Sequence, residues 1–311
     1  MKKKFVSKVK KKKFKFKFLL FCFLFIGSLV FSFQALLKSK IKIDDKYLVD
    51  SILNQSYQKK GNVFTGIMNK IKKEYQPVNL LSTNYFSLVK EKKVSKISEK
   101  KEQKSSDYLI YIYNSHQTEE YQANSFLESE VGPTVMMASY IMEDVFNKNS
   151  YKTLVEERSI PDLLKANNWR YYRSYDASRI YLNESKEKNP TIKYFIDVHR
   201  DSLNRDKTTI TINDKSYAKT IFLIGTENPT YQENLEFTTR INDKLNEKYP
   251  NLSKGIYQKG GEGVNGLYNQ DNSKYTILLE IGGPENKIDE VLNSTLAFCE
   301  CFLEVLKEDE G

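Results

Sequence analysis

Four short apolar segments limit the folds open to this chain. Asp107–Tyr113 (DYLIYIY), Ile192–Val198 (IKYFIDV), Lys219–Ile224 and Tyr275–Ile281 (YTILLEI) each read as a buried strand. Stretches of helical pattern lie among them. Pro133–Phe146 carries Val135, Met136, Met137, Tyr140, Ile141 and Phe146; Tyr231–Tyr249 stops at Pro250; Asn286–Leu306 closes the chain. Strands apolar along their length that alternate with helices imply an α/β domain, a mixed and mostly parallel sheet flanked by helices. In such sheets ligands collect at the C-terminal ends of strands.

Polar groups stand at those ends. The first strand runs into Asn114-Ser115-His116-Gln117-Thr118-Glu119, and the second into His199-Arg200-Asp201-Ser202. Glu280 lies near the end of the last strand, before Gly282 and Gly283. His116 and His199 are the only two histidines in the 311 residues. A single histidine at a strand end is usually a hydrogen-bonded structural residue; two that both follow buried strands point to a shared site. His116-x-x-Glu119 can bring an imidazole and a carboxylate to one point from a single turn, and His199 can supply a third ligand. Two histidines and a carboxylate with an open fourth position form a known type of catalytic zinc site. Zinc polarises a carbonyl and lowers the pKa of a coordinated water to about 7. Glu280 is then the candidate general base. Asp197 lies two residues before His199 on the same strand face, where it can orient an imidazole. Arg200 can bind a substrate carboxylate through two parallel hydrogen bonds. No G-x-S-x-G elbow or P-loop is present, and the glycine-rich run that begins at Gly260-Gly261-Glu262-Gly263 does not sit between a clear strand and a helix, as a dinucleotide-binding fingerprint must, so it reads as a loop. Cys299 and Cys301 are spaced as buried small residues on a helix, not as a disulfide.

The net charge of +9 is concentrated at one end. Residues 1–17 carry ten lysines and no acid, so the remaining chain is close to neutral, at −1. That distribution argues against a nucleic-acid groove. Residues 18–37 (FLLFCFLFIGSLVFSFQALL) hold no charge and match the roughly 20 apolar residues that span a bilayer as a helix. With lysines before it, the positive-inside rule expects a single-pass anchor in the cell membrane, with the N-terminus cytoplasmic and the rest outside. The expected domains are therefore a basic tail (1–17), a transmembrane helix (18–37), a stalk or linker (38–105) and a catalytic domain (106–311). A flexible stalk of that length would reach roughly 45 Å.

Several stretches taken together resemble the stage II sporulation protein P family, peptidoglycan hydrolases related to zinc-dependent N-acetylmuramoyl-L-alanine amidases. They are YIYNSHQTEEY (111–121), VGPTVMMASYIMEDV (131–145), IDVHRDS (196–202), AKTIFLIG (218–225), KYPNLSKGIY (248–257), YNQDNS (268–273) and LLEIGG (278–283). The resemblance implies a Zn2+-dependent hydrolase acting on peptidoglycan outside the membrane during sporulation. Amidase action, and in some members cleavage of peptide cross-links, is the implied activity, with sporulation proteins D and M as implied partners. Carried over by position, His116 and His199 would be metal ligands, and Glu119 and Glu280 fall on the acids of the first motif and the final strand; the match does not divide their roles, and Glu119 is taken here as the ligand and Glu280 as the base. Glu130, placed at the start of the next helix, is the alternative ligand. Asn114, Asp197, Arg200, Asp201, Tyr268, Asn269 and Gln270 would bind substrate or support the ligands. Family members commonly read H-T-H-T at the first motif; here Asn114 stands at the first of those histidines. Two further readings remain: a wall-binding scaffold without activity, and a membrane-anchored zinc peptidase acting on stem peptides.

Overall fold

The structure, a computed structural model, describes residues 44–46, 48–50, 107–122, 124–126, 129–131 and 133–310. The tail, the expected membrane span and most of the expected stalk lie outside these residues. Among the described residues no helix is long and apolar enough to cross a membrane.

The elements in chain order are β1 (Ile110–Tyr113), β2 (Asn124–Phe126), β3 (Ser129–Val131), α1 (Met136–Lys148), β4 (Thr153–Val155), α2 (Ile160–Ala166) and α3 (Ser174–Lys188), the last preceded by a 3-10 turn at Tyr171–Arg173. Then follow β5 (Tyr194–His199), α4 (Arg205–Thr208), β6 (Thr209–Ile212), β7 (Lys215–Ala218), β8 (Thr220–Gly225), α5 (Tyr231–Lys248), β9 (Ser253–Lys259), β10 (Thr276–Ile281) and α6 (Ile288–Glu310). Six strands form one sheet in the order β4-β1-β5-β10-β8-β9. Every pair is parallel except β10 with β8. The expected mixed, mostly parallel sheet flanked by helices is therefore present. β6 and β7 pair as a separate hairpin. β2 and β3 pair antiparallel and belong to a small second unit. Glu130 lies in β3, not at the start of a helix as the sequence reading placed it; α1 begins at Met136.

Side chains alternate across a strand, so the pairing register assigns faces. On one face, Tyr194 of β5 meets Phe237 of α5 and Phe302 of α6, while Phe146 of α1 and Phe298 of α6 also pack on Phe302. That aromatic layer is the main core, and Cys299 and Cys301 are buried in α6 as free thiols. On the other face Tyr111, Tyr113 and Phe195 pack with Leu182 of α3. Tyr113 pairs with Asp197, and Glu280 pairs with His199. Asp197, His199 and Glu280 thus rise from the face on which α3 packs.

Within the expected stalk, residues 45, 46 and 48–50 are helical. Leu48 and Val49 are buried, and the Lys46 ammonium pairs with Glu157 at 2.6 Å. The expectation of an undocked linker does not extend to them, because two apolar side chains there find a surface to bury against.

Candidate metal centre

The chain after β1 turns at once, and the turn places both residues of the His-x-x-Glu spacing. The Glu119 amide donates to the His116 carbonyl at 3.0 Å, closing a loop that brings the His116 Nδ1 within 3.5 Å of Glu119 Oε1. His199, last residue of the adjacent β5, presents Nδ1 at 3.6 Å from Glu119 Oε2. The two imidazoles stand edge to face with ring centres 4.9 Å apart. One donor atom from each of His116, Glu119 and His199 falls within 4.8 Å of the others. The loop after β1 and the end of β5 converge because those strands are parallel neighbours.

The far nitrogen of His199 is also held. Nε2 lies 3.0 Å from Asp197 Oδ1 and 2.9 Å from the Ser115 hydroxyl. Ser115 in turn donates from its amide and its hydroxyl to the two Asp197 oxygens, at 2.9 and 2.7 Å. Asp197 is fully buried. This arrangement fixes the ring and directs Nδ1 toward Glu119, as carboxylates do behind metal-binding histidines. Burial pushes the His199 imidazole down, but the Asp197 charge and hydrogen bonds to Asp197 and Glu119 outweigh it and raise its pKa to about 10. Burial also pushes Glu119 up. Hydrogen bonds from both histidines, the His199 charge and the Arg200 amide overcome that and hold its carboxyl well below the usual carboxylate range. Without a metal, His199 is thus held as an imidazolium against two carboxylates; a divalent cation would take the place of its proton, and His116, Glu119 and His199 are residue types that could hold one. Around zinc, with nitrogen and oxygen ligands at about 2.0–2.2 Å, neighbouring tetrahedral donors lie roughly 3.4 Å apart. The histidine–carboxylate distances of 3.5 and 3.6 Å, one to each Glu119 oxygen, are close to that spacing, and with one atom taken from each residue the three donors lie within 4.8 Å of one another.

Glu280 completes the polar group from β10, paired with His199 across the sheet. Burial raises its pKa, while the His199 charge opposes the rise. The glycines that follow serve the neighbouring loop. A Cβ on Gly283 would sit 2.2 Å from the Leu203 carbonyl, and one on Gly282, at φ +64°, would meet Asn286 at 2.7 Å. Only without those side chains can Asp201 donate its amide to the Gly282 carbonyl at 2.7 Å.

The family model described as Stage II sporulation protein P matches residues 42–303. The chain belongs to that family. Over 210 residues it is 32% identical to the stage II sporulation protein P of Bacillus subtilis (strain 168), an alignment covering 65% of this chain and 52% of that protein. The chain thus spans about half the length of this relative. Among solved structures, it aligns with the CwlD amidase from Clostridioides difficile, solved in complex with the GerS lipoprotein. The TM-score is 0.42 and the identity 13%, over 65% of this chain and 98% of that one.

The other residues of the family motifs are placed as follows. Asn114 is buried, donating to the Val198 carbonyl at 2.7 Å and accepting from Ser139 of α1 at 2.9 Å. It ties β1 to β5 and α1. Arg200 donates from Nε to the Glu120 carbonyl and from Nη1 to that of Asp201, so its guanidinium braces the ligand loops. Asp201 pairs with Lys254 at 2.9 Å. Tyr268 and Asn269 adopt left-handed backbone, at φ 51° and 57°. Tyr268 packs edge-on to Tyr175, and Asn269 donates to the Tyr175 carbonyl and the Ser178 hydroxyl. Gln270 is buried, donating to the Leu223 carbonyl and accepting from the Gly225 amide.

Three further residues shape the centre. Ser115 joins Asp197 to His199, and its place beside His116 was the available signal. Tyr171 stacks on His116 at 4.9 Å, and Tyr175 lies parallel to the His199 ring at 6.1 Å. Both tyrosines come from a segment for which no strand-end argument applied.

Proposed function

We propose that this protein is a zinc-dependent peptidoglycan hydrolase, an N-acetylmuramoyl-L-alanine amidase that remodels the cell wall during sporulation while anchored in the membrane by residues 18–37. The observation that carries the reading is the convergence of His116, Glu119 and His199 from two strand ends. Family membership supplies the sporulation context.

In this reading His116, Glu119 and His199 hold the metal, His199 through Nδ1. When bound, zinc supplies a Lewis acid that polarises the scissile carbonyl and acidifies water. Asp197 and Ser115 fix the His199 ring by its Nε2 side. Glu280 takes a proton from the attacking water at a carboxylate oxygen and delivers it to the leaving nitrogen, a task suited to a buried carboxyl with a raised pKa. Tyr171, half-exposed against His116, forms one wall of the approach. Asn114 has both its side-chain groups bonded, to the Val198 carbonyl and the Ser139 hydroxyl, which supports a site complete without a histidine there.

Mass spectrometry of products from purified cell walls tests the proposal on the full-length protein in detergent. Whole stem peptides should be released, a chelator should stop the release, and zinc should restore it. Shortened or merely uncrosslinked peptides would point to the peptidase reading. Full activity in His199→Ala would refute the proposed centre.

A further inference from the structure

Asp45 reaches the backbone next to the stretch that carries Glu119. The Asp45 carboxylate accepts twice from Thr134, from the amide at 3.0 Å and from the hydroxyl at 2.5 Å. Thr134 forms an isolated antiparallel bridge with Glu120. On either side of that bridge, the Val135 amide donates to the Glu119 carbonyl at 3.0 Å and the Tyr121 amide to the Pro133 carbonyl at 2.8 Å. The Thr134 hydroxyl also accepts from the Met136 amide, where α1 begins. From the opposite side Arg200 clamps the Glu120 carbonyl at 2.7 Å, and its amide bonds to the Glu119 carboxylate at 3.0 Å. The stretch 119–121 is therefore gripped between the His199 loop and residues 133–135. Asp45 is the outer brace of the latter.

Asp45 is costly to bury, and the Asp44 and Glu120 charges add to that cost, while the two Thr134 bonds offset it. Leu48 and Val49 supply the apolar hold that keeps it there, with the Lys46–Glu157 pair at their side. A carboxylate spent on one threonine, two residues in space from a metal-ligand backbone, acts as supports behind metal ligands do: it fixes direction without touching the metal.

We infer that Asp45 is a positioning residue for Glu119, so that the docking of Asp45, Leu48 and Val49 aligns the metal centre and links it to the N-terminal side of the domain. This rests on the metal-centre reading above.

Cobalt(II) bound to the full-length protein in detergent provides the test, through its visible absorption bands and a chelator competition. Asp45→Ala should shift the bands and weaken cobalt binding by roughly 10-fold or more. Asp45→Glu should recover part of both. Lys46→Ala, which removes the Glu157 pair and leaves the Thr134 bonds, should keep the wild-type bands. Wild-type bands and affinity in Asp45→Ala would overturn the inference, as would an equal change in Lys46→Ala. Where Asp45→Ala fails to fold, Thr134→Val decides in its place: a shift in the bands upholds the inference and unchanged bands overturn it. No cobalt binding by the wild type, or unchanged bands in Glu119→Gln, would instead strike the metal-centre reading itself.

Discussion

Glu280 stands one strand from His199, and burial lifts its pKa above the 4.5 of a free glutamate. A base must be deprotonated to work, so the acid limb of the rate profile should lie above pH 4.5. The same shift carries a stability term of opposite sign. The folded state favours the protonated form, so the ionised carboxyl is a liability above its raised pKa, and that liability fades as pH falls toward 4.5. Glu280→Gln should cut turnover by about 100-fold or more while zinc content stays at one per chain. It should also raise the unfolding midpoint of the metal-free protein at neutral pH. Loss of zinc in this variant, or turnover near the wild-type rate, would remove Glu280 from its assigned role.

At the scale of elements, the structure shows which signals the sequence carries and which it hides. The four expected strands and three expected helices are all present, with ends displaced by a few residues. They were legible because each is buried along its length or on one regular face. α3 was not, because its buried face is built from Ser174, Ala177, Ser178, Leu182 and Ser185, with one large apolar residue among them. β9 was hidden by its place at the sheet edge, where its side chains are half-buried or exposed. β4 is three residues long. At the centre, His116, Glu119 and His199 could be read as a group because strand ends converge in parallel sheets. The partners of Gln270 could not, since they depend on how the loop after β9 folds back on β8. That loop gives a prediction of its own. Gln270→Ala leaves the Leu223 carbonyl and the Gly225 amide without their partner, and should lower stability by about 2 kcal/mol. The denaturant midpoint should fall at unchanged slope, with zinc affinity preserved. A midpoint within error of the wild type would show that water replaces these bonds freely.

For the molecule as a whole, the sequence divides the work between a basic, apolar N-terminus and a nearly neutral body, and the structure places a candidate metal centre on one face of that body. The family and the mixed sheet are settled; the activity rests on whether the centre holds zinc. Anomalous diffraction at the zinc edge from crystals of the protein answers that most directly. One strong peak is expected within bonding distance, about 2.0–2.2 Å, of His199 Nδ1, a His116 ring nitrogen and the Glu119 carboxylate, with Glu280 outside that shell. A peak that omits His199 or replaces Glu119 with Glu130, or no peak from zinc-loaded protein, would contradict it.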